Sequence, residues 1–306
     1  MAEFDKWWTQ ASGDDPVTKV ARRALRHRLR AVSHFLKQAE GTTSRTPEPV
    51  HQLRVWCRRT DAALQMFEKL TPKRSAGKLK RTIRKLRRLG GQARDCDLLL
   101  RALADEPTTA ATVRISRRLR KKRLDVQHAL DRAKRKWIDQ GKLKQLRKTV
   151  LAGIRWPKKG RKSREPDFRF WARERIELLL AALVAFDASD LQLDDRMHAM
   201  RIAGKRLRYA AELSVVAFPQ LGGSLYDQLV DLQDRLGDAV DHLANIERLG
   251  GLLEDSSEAD RTYLVAAIAQ QQTQLMQKRR KLARWWTPAR RRELEGRWRG
   301  ALGSDR

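Results

Sequence analysis

The stretch MHAMRIAGKRLRYAAEL, residues 197–213, decides the fold class, because its apolar residues recur with the 3.6-residue period of an α-helix. The same period puts one imidazole and three cations on a single helical face: His198, Arg201, Lys205 and Arg208. Like charges at this spacing repel each other unless something negative lies against them. The stretch therefore predicts a helix and an anionic partner.

A second stretch carries the same pattern about 147 residues earlier in the chain. In VHQLRVWCRRTDAALQM, residues 50–66, the matching side chains are His51, Arg54 and Arg58. After a slip of one residue, GQARD at 91–95 also aligns with GDAVD at 237–241. The chain has six histidines, so a matched histidine with matched cations indicates an internal duplication.

The rest of the chain is predicted to form helices separated by breakers, with no convincing run of strand period. In the first half, helices are predicted from Pro16 to about 39, through the His51 segment to Leu70, over about 75–89 with a loosening at Gly90-Gly91 before a continuation to Ala104, and after Glu106-Pro107 to about 153. In the second half they are predicted at roughly 168–186, 190–217, 222–250 and 256–285, followed by a short tail segment with a proline near its start.

The segment RWPKKGRKSREPD, residues 155–167, is interpreted as an exposed basic linker, because it carries five cations between two prolines. It separates an N-terminal half, 1–154, from a C-terminal half, 168–306. Each half has four main predicted helices, which suggests a duplicated antiparallel four-helix bundle. The predicted fold class is all-α.

The charge of the chain restricts its partners. Lys and Arg number 67 against 37 Asp and Glu, which leaves a formal charge of +30, while 41% hydrophobic residues are too many for a disordered polycation. Such an excess attracts polyanions: nucleic acid, an acidic membrane surface or a phosphate polymer. Charge alone does not choose among them.

Cysteine usage and hydropathy favour a soluble cytoplasmic protein. Cys57 and Cys96 form no metal or disulfide pattern, which suits a reducing compartment. The longest apolar run, at 176–186, is too short to cross a bilayer, and the N-terminal segment does not resemble a secretory signal. No membrane partner is expected, and the sequence leaves the oligomeric state open.

Two further helices add candidate anion-binding cations. On the 75–89 helix Lys78, Arg81, Lys85 and Arg88 form one stripe, which Lys80, Arg84 and Arg87 widen, and no acidic residue lies among them. On the first helix the cations include Arg22 and Arg26. A solvated cationic face is the alternative interpretation, and for the first helix the sequence does not decide between the two.

The sequence predicts a protein that is not an enzyme and that needs no cofactor and no metal. It contains no HExxH, no Walker loop and no Gly-x-Ser-x-Gly. Carboxylates such as Asp61, Asp95 and Asp241 are expected to hold arginines in place. A phosphate-cleaving enzyme remains the third-ranked hypothesis.

His51 and His198 predict a pH dependence of anion binding. Neighbouring cations are expected to lower the pKa of each imidazole from its ordinary value of about 6.5, and a bound polyanion to raise it again. Binding is therefore expected to tighten as the pH falls from about 8 to about 6.

Together these segments resemble the CHAD family, the conserved histidine α-helical domain. The resemblance rests on VHQLRVWCRR, LRRLGGQARDCDLLL, MHAMRIAGKRLRYAAEL and LVDLQDRLGDAVDHLANIERL, and it extends over roughly 15–285. It implies two pseudo-symmetric four-helix bundles that enclose a basic groove or pore, which binds inorganic polyphosphate, often at polyphosphate granules.

Carried over by position, the family's histidines would be His51 and His198, with their neighbouring cations and with Arg94 after the glycines. The second half has Val240 in the place of Arg94, and the ExExK strand of a fused triphosphate tunnel domain is missing from this sequence. The leading hypothesis is therefore non-catalytic polyphosphate binding. The alternative is sequence-independent nucleic-acid binding, with tryptophan and arginine stacking on bases.

Overall fold

The computed structural model describes residues 4–39, 48–157, 164–254 and 256–303. Within these ranges the chain is all-α, as predicted, and contains no β-strand. The described residues form ten α-helices: α1 (Val17–Gln38), α2 (Glu48–Met66), α3 (Lys73–Ala104), α4 (Ala110–Lys134), α5 (Lys142–Ala152), α6 (Phe168–Val184), α7 (Asp194–Ser214), α8 (Ser224–Gly250), α9 (Glu258–Trp285) and α10 (Pro288–Leu302).

The helices differ from the predicted ones at several places. The helix predicted to reach Leu70 ends at Met66 and is followed by a 3₁₀ turn at Glu68–Leu70, and the helix predicted at 190–217 consists of a 3₁₀ turn at Asp190–Gln192 and α7. The basic helix does not loosen at Gly90-Gly91, and α3 runs through both glycines. The stretch predicted to run unbroken to about 153 divides into α4, a π-helical turn at Arg135–Asp139, and α5. The break has a local cause, because Gly141 adopts a left-handed conformation with φ 66° that a side-chain-bearing residue rarely takes.

The chain divides into two compact units. One unit contains Asp15–Pro166 and the other contains Asp5–Asp14 together with Asp167–Arg306. The centre of the predicted linker, 158–163, lies outside the described residues. Each unit has five of the ten helices, one more than the four main helices counted in the sequence, since α5 and α10 are separate helices.

The five helices of each unit pack in the same order. In the first unit α1 packs on α2, α2 on α3 and α3 on α4, and α5 packs against α1 and α3. In the second unit α6, α7, α8 and α9 form the same series, and α10 packs against α6 and α8. The principal helix contacts therefore follow the same order in each unit.

The apolar face of each helix is buried in the core, which leaves the polar face outside it. On α2 the residues that recur at helical spacing, among them Leu53, Trp56 and Cys57, are buried. On α7 the corresponding buried residues include Met200, Gly204 and Leu207. The polar sides of α2 and α7 are left outside these cores. Across the described ranges, no helix has the length and apolar character that crossing a bilayer requires.

Candidate functional site

The polar side of α2 carries what we call the first basic face, which consists of His51, Arg54 and Arg58 of α2 and Arg94 of α3. The helical spacing puts the three α2 residues on one side of the helix, opposite Trp56. His51 is exposed, whereas the three arginines are half-buried. Arg94 lies near enough to His51 to lower the pKa of its imidazole. The structure therefore brings an imidazole and three guanidinium groups together.

Gly90 lets the Arg54 side chain cross α3 at close range. A Cβ atom on Gly90 would lie 2.9 Å from Cγ of Arg54 and 3.6 Å from the carbonyl oxygen of Val50. Real Cβ atoms essentially never approach another heavy atom more closely than 3.0 Å. A larger residue at position 90 would therefore push the aliphatic part of Arg54 out of its place on the first basic face.

A carboxylate extends the polar side of α2 by one more turn. Asp61 is buried at 7% exposure, with Oδ1 3.8 Å from Nε of Arg84 and Oδ2 4.0 Å from Nη1 of Arg87. Arg87 and Arg58 both favour the thiolate of the buried Cys57 and so lower its pKa, but desolvation outweighs them and raises the pKa to about 12. Arg84 and Arg87 thus lie on the α2 side of α3, although the sequence singled out the stripe of Arg81 instead.

The second basic face consists of His198, Arg201, Lys205 and Arg208 on the polar side of α7. His198 is exposed and the three cations are half-buried. Nη2 of Arg201 lies 3.6 Å from Oδ1 of Asp241 on α8. This separation fits the sequence expectation that carboxylates hold arginines in place.

The register that pairs His51 with His198 also pairs Gly90 with Gly237. A Cβ atom on Gly237 of α8 would lie 3.8 Å from Nη2 of Arg201, whereas one on Gly90 would lie 2.9 Å from Cγ of Arg54, so each glycine lies near the first arginine of its face. In this register Asp61 corresponds to Arg208 and Arg94 to Asp241, whereas the register with a one-residue slip pairs Arg94 with Val240.

Both imidazoles have pKa values below the ordinary value of 6.5. For His51 the largest cause is desolvation, which Glu48 opposes and to which Arg94, Arg54 and Arg58 add. For His198 the order is desolvation, Arg201 and Lys205, while Glu247 of α8 acts in the opposite direction. The direction agrees with the sequence expectation, and desolvation is the largest single cause of the lowered pKa of each imidazole.

The remaining candidate cations lie elsewhere in the first unit. Arg22 donates to the carbonyl oxygen of Ile154 just beyond α5, so it links two segments of the fold. Arg26 is exposed and lies near the half-buried Arg147 of α5, whose pKa is lowered by desolvation, then by Arg30 and Arg26. Arg81 lines a separate groove with Lys78, and Lys85 and Arg88 are exposed at helical spacing from it. Polyphosphate binding by this set stays a prediction.

Substitution of Gly90 by alanine is expected to weaken anion binding while the fold persists. The added methyl group displaces Arg54, whereas in Gly237→Ala the methyl group has room beside Arg201. Alanine favours a helix interior over glycine by about 1 kcal/mol, so neither variant is expected to lose helix. We expect about a threefold loss of affinity in Gly90→Ala, since one partly exposed charge contributes up to about 1 kcal/mol. Calorimetric titration of both variants measures this, and equal affinities would contradict a role for the close approach of Arg54 to Gly90.

Comparison with known proteins identifies the family. The CHAD domain family model matches residues 26–250. The crystal structure of the CHAD domain from the plant Ricinus communis superimposes with a TM-score of 0.66 at 20% identity, covering 100% of this chain and 98% of that chain. PptA from Streptomyces chartreusis gives a TM-score of 0.58 at 14% identity, covering 89% and 99%. Comparison with curated proteins gives no match. At these identities the structures show a shared fold, and the family model covers well over half of the chain. This protein therefore belongs to the CHAD domain family, as its sequence motifs indicated.

Proposed function

We propose that this chain binds inorganic polyphosphate without cleaving it, and that the two basic faces supply the binding groups. The observation that carries the proposal is the repetition of one ladder, an imidazole followed by cations at i+3 and i+7, on α2 and α7. The relation of the CHAD family to polyphosphate in general supports it.

The length of each ladder favours a linear anion. From His198 to Arg208 a helix rises by about 15 Å at its usual rise per residue, and from His51 to Arg58 by about 10 Å. A single phosphate group would contact no more than one helical turn. Cations repeated along a helix suit a chain of phosphates in which every unit carries charge.

The chemistry of the groups favours binding over hydrolysis. Arginine remains protonated and donates hydrogen bonds from a planar fork that suits phosphate oxygens, but it does not exchange protons. The two faces contain five arginines, one lysine and two histidines by the definitions above. An assay for released orthophosphate, with and without divalent metal ions, is expected to give none, and metal-dependent release would overturn the non-catalytic part of the proposal.

Competition between anions tests the ligand class. Fluorescent long-chain polyphosphate bound to the whole protein is titrated with pyrophosphate, with unlabelled long chains and with double-stranded DNA, at fixed salt and equal phosphate concentration. We expect long chains to displace the label and pyrophosphate to fail. Displacement by pyrophosphate at equal phosphate would contradict the ladder, and stronger displacement by DNA would favour the nucleic-acid alternative.

The pH dependence follows from the two imidazoles. Their pKa values in the free protein are lowered, and a bound polyanion raises them, so the complex takes up protons. Affinity is therefore expected to rise as the pH falls through the pKa of the complex and to level off below the pKa of the free protein. Because the latter lies below 6.5, the rise continues below pH 6.5. Titrations between about pH 5 and 8 measure it.

The control for this prediction is the double variant His51→Ala/His198→Ala, which keeps the other four of the six histidines. It is expected to show a flatter profile than the wild type. A profile equally steep in the double variant, or a flat profile in the wild type, would exclude these histidines as the titrating groups.

We further propose a cytoplasmic location at polyphosphate granules, in line with the family resemblance. A fluorescent fusion is expected to form foci in cells that accumulate polyphosphate and to lose them in cells that cannot make it. Foci that persist without polyphosphate would contradict the proposed location.

A further inference from the structure

The first unit contains a groove that is distinct from its basic face. The groove has a volume of about 980 Å³ and runs between α3, the π-helical turn and α5. A Cβ on Gly153, at the end of α5, would lie 2.7 Å from Cγ of Pro72, so the end of α5 meets the start of α3. The lining consists of Pro72, Arg74, Ser75, Lys78, Arg81, Lys136, Trp137, Lys142, Gln145, Leu146 and Thr149.

The charged side chains of this lining are positive. Among the described residues that line the groove, five are cations, which come from all three elements, and none is a carboxylate. All five are exposed: Arg74, Lys78, Arg81, Lys136 and Lys142. Within the part of the chain that the structure describes, none of them lies within ion-pair distance of an acidic side chain, whereas Arg84 and Arg87 of α3 approach Asp61. The groove therefore concentrates cationic charge that the protein itself does not balance.

An aromatic and apolar part accompanies the charge. Trp137 is half-buried in the π-helical turn, and Nζ of Lys136 lies 5.5 Å from the centre of its ring. Leu146 is buried at 8% exposure, and Pro72 is half-buried. π-Helical turns are rare and occur often at functional sites. Here the turn places two consecutive residues, an aromatic ring and a cation, on the lining of the same groove.

The groove and the first basic face lie on different sides of α3. Arg94, Arg87 and Arg84 turn toward α2, as their neighbours His51, Cys57 and Asp61 show. Lys78 and Arg81 turn toward α5 and the π-helical turn. The lining contains none of the residues that define the first basic face.

We propose that this groove binds a nucleoside triphosphate, with the phosphates on its cations and the base on Trp137. The volume falls within the range of about 300–1,000 Å³ that small-molecule sites occupy. Phosphates alone would need only the cations, but a lining that also contains the flat aromatic side chain of Trp137, with Leu146 and Pro72, suits a base, since bases stack on aromatic rings. The proposal does not depend on polyphosphate binding by the two basic faces.

Calorimetric titration of the whole protein with ATP and, separately, with inorganic tripolyphosphate tests the proposal. Trp137→Ala is expected to weaken ATP binding about tenfold and to leave tripolyphosphate within about twofold, because only the nucleotide stacks on the ring. Trp137→Phe keeps an aromatic surface and is expected to retain most of the ATP affinity. Circular dichroism verifies that each variant is folded.

A second pair of variants tests the charge. Lys142→Gln is expected to weaken ATP and tripolyphosphate alike, by about threefold, since it removes one phosphate-binding cation. Lys148→Gln removes an equal charge from an exposed position of α5 outside the groove and is expected to change neither affinity.

Unchanged ATP affinity in Trp137→Ala, or an equal loss of affinity for ATP and tripolyphosphate in that variant, would overturn the nucleotide assignment. Trp137→Ala is expected to leave the affinity for long-chain polyphosphate unchanged, because that chain has no base to stack on the ring.

Discussion

Replacing Arg54, Arg58, Arg201 and Lys205 by glutamine is expected to lower the affinity for long-chain polyphosphate by about 100-fold near 0.1 M salt. Each of these half-buried cations contributes about 0.7 kcal/mol, within the range of about 0.2–1 kcal/mol for partly exposed charge pairs. Four of them amount to about 3 kcal/mol, or about two factors of ten. Glutamine keeps much of each side-chain stem, including the stem of Arg54 against Gly90. Fluorescence anisotropy with labelled polyphosphate measures the loss.

In the matched control, glutamine replaces four cations at exposed positions of α4 and α5: Arg117, Arg120, Lys121 and Lys144. It lowers the net charge by the same amount but leaves both basic faces intact, and less than about a threefold change is expected from the reduced long-range field. If both variants lost affinity equally, net charge alone would account for binding and the two faces would have no special role.

The affinity of the wild-type protein for polyphosphate is expected to fall by about 10²- to 10³-fold between 50 and 200 mM salt. The two basic faces contain six cations, Arg54, Arg58, Arg94, Arg201, Lys205 and Arg208. With the release of about 0.7 counterion per contact that single-stranded polyanions show, the slope of log K against log salt is about −4.

The four-glutamine variant provides the control for this slope, because it leaves two of the six cations and should give a slope of about −1.4. A wild-type slope near −1 would mean that few phosphates are contacted. An unchanged slope in the variant would mean that other cations of this basic protein make the contacts.

The helical period predicted much of the fold and the core of each basic face. Because α2 and α7 have a clean apolar side, the 3.6-residue spacing alone placed His51 beside Arg54 and Arg58, and His198 beside Arg201. The family motif added Arg94, which the structure brings to His51 from another helix. These neighbours could be predicted from the sequence because each pair lies on one helix or belongs to one short motif.

Relations between distant segments were not predictable in the same way. The orientation of α3 depends on its packing against α2 and α5, so its long cationic run did not reveal that Arg87 turns to α2 and Arg81 to α5. Helical spacing also did not reveal that Arg22 donates a hydrogen bond to the carbonyl oxygen of Ile154, which is far away in the sequence. The groove joins 72–81 to 136–149, and nothing in either segment alone indicates the other.

The exchange of Asp61 for Arg208 at corresponding positions means that the two basic faces reach the same number of cations in different ways. The α7 face has its third cation on the same helix, at Arg208, whereas α2 has a carboxylate at that position and the third cation, Arg94, comes from α3. A chimaera built from two copies of the N-terminal segment would therefore lose Arg208 and gain a second Arg94. Its net charge on the two faces would be unchanged, but its third cation would come from a neighbouring helix in both copies.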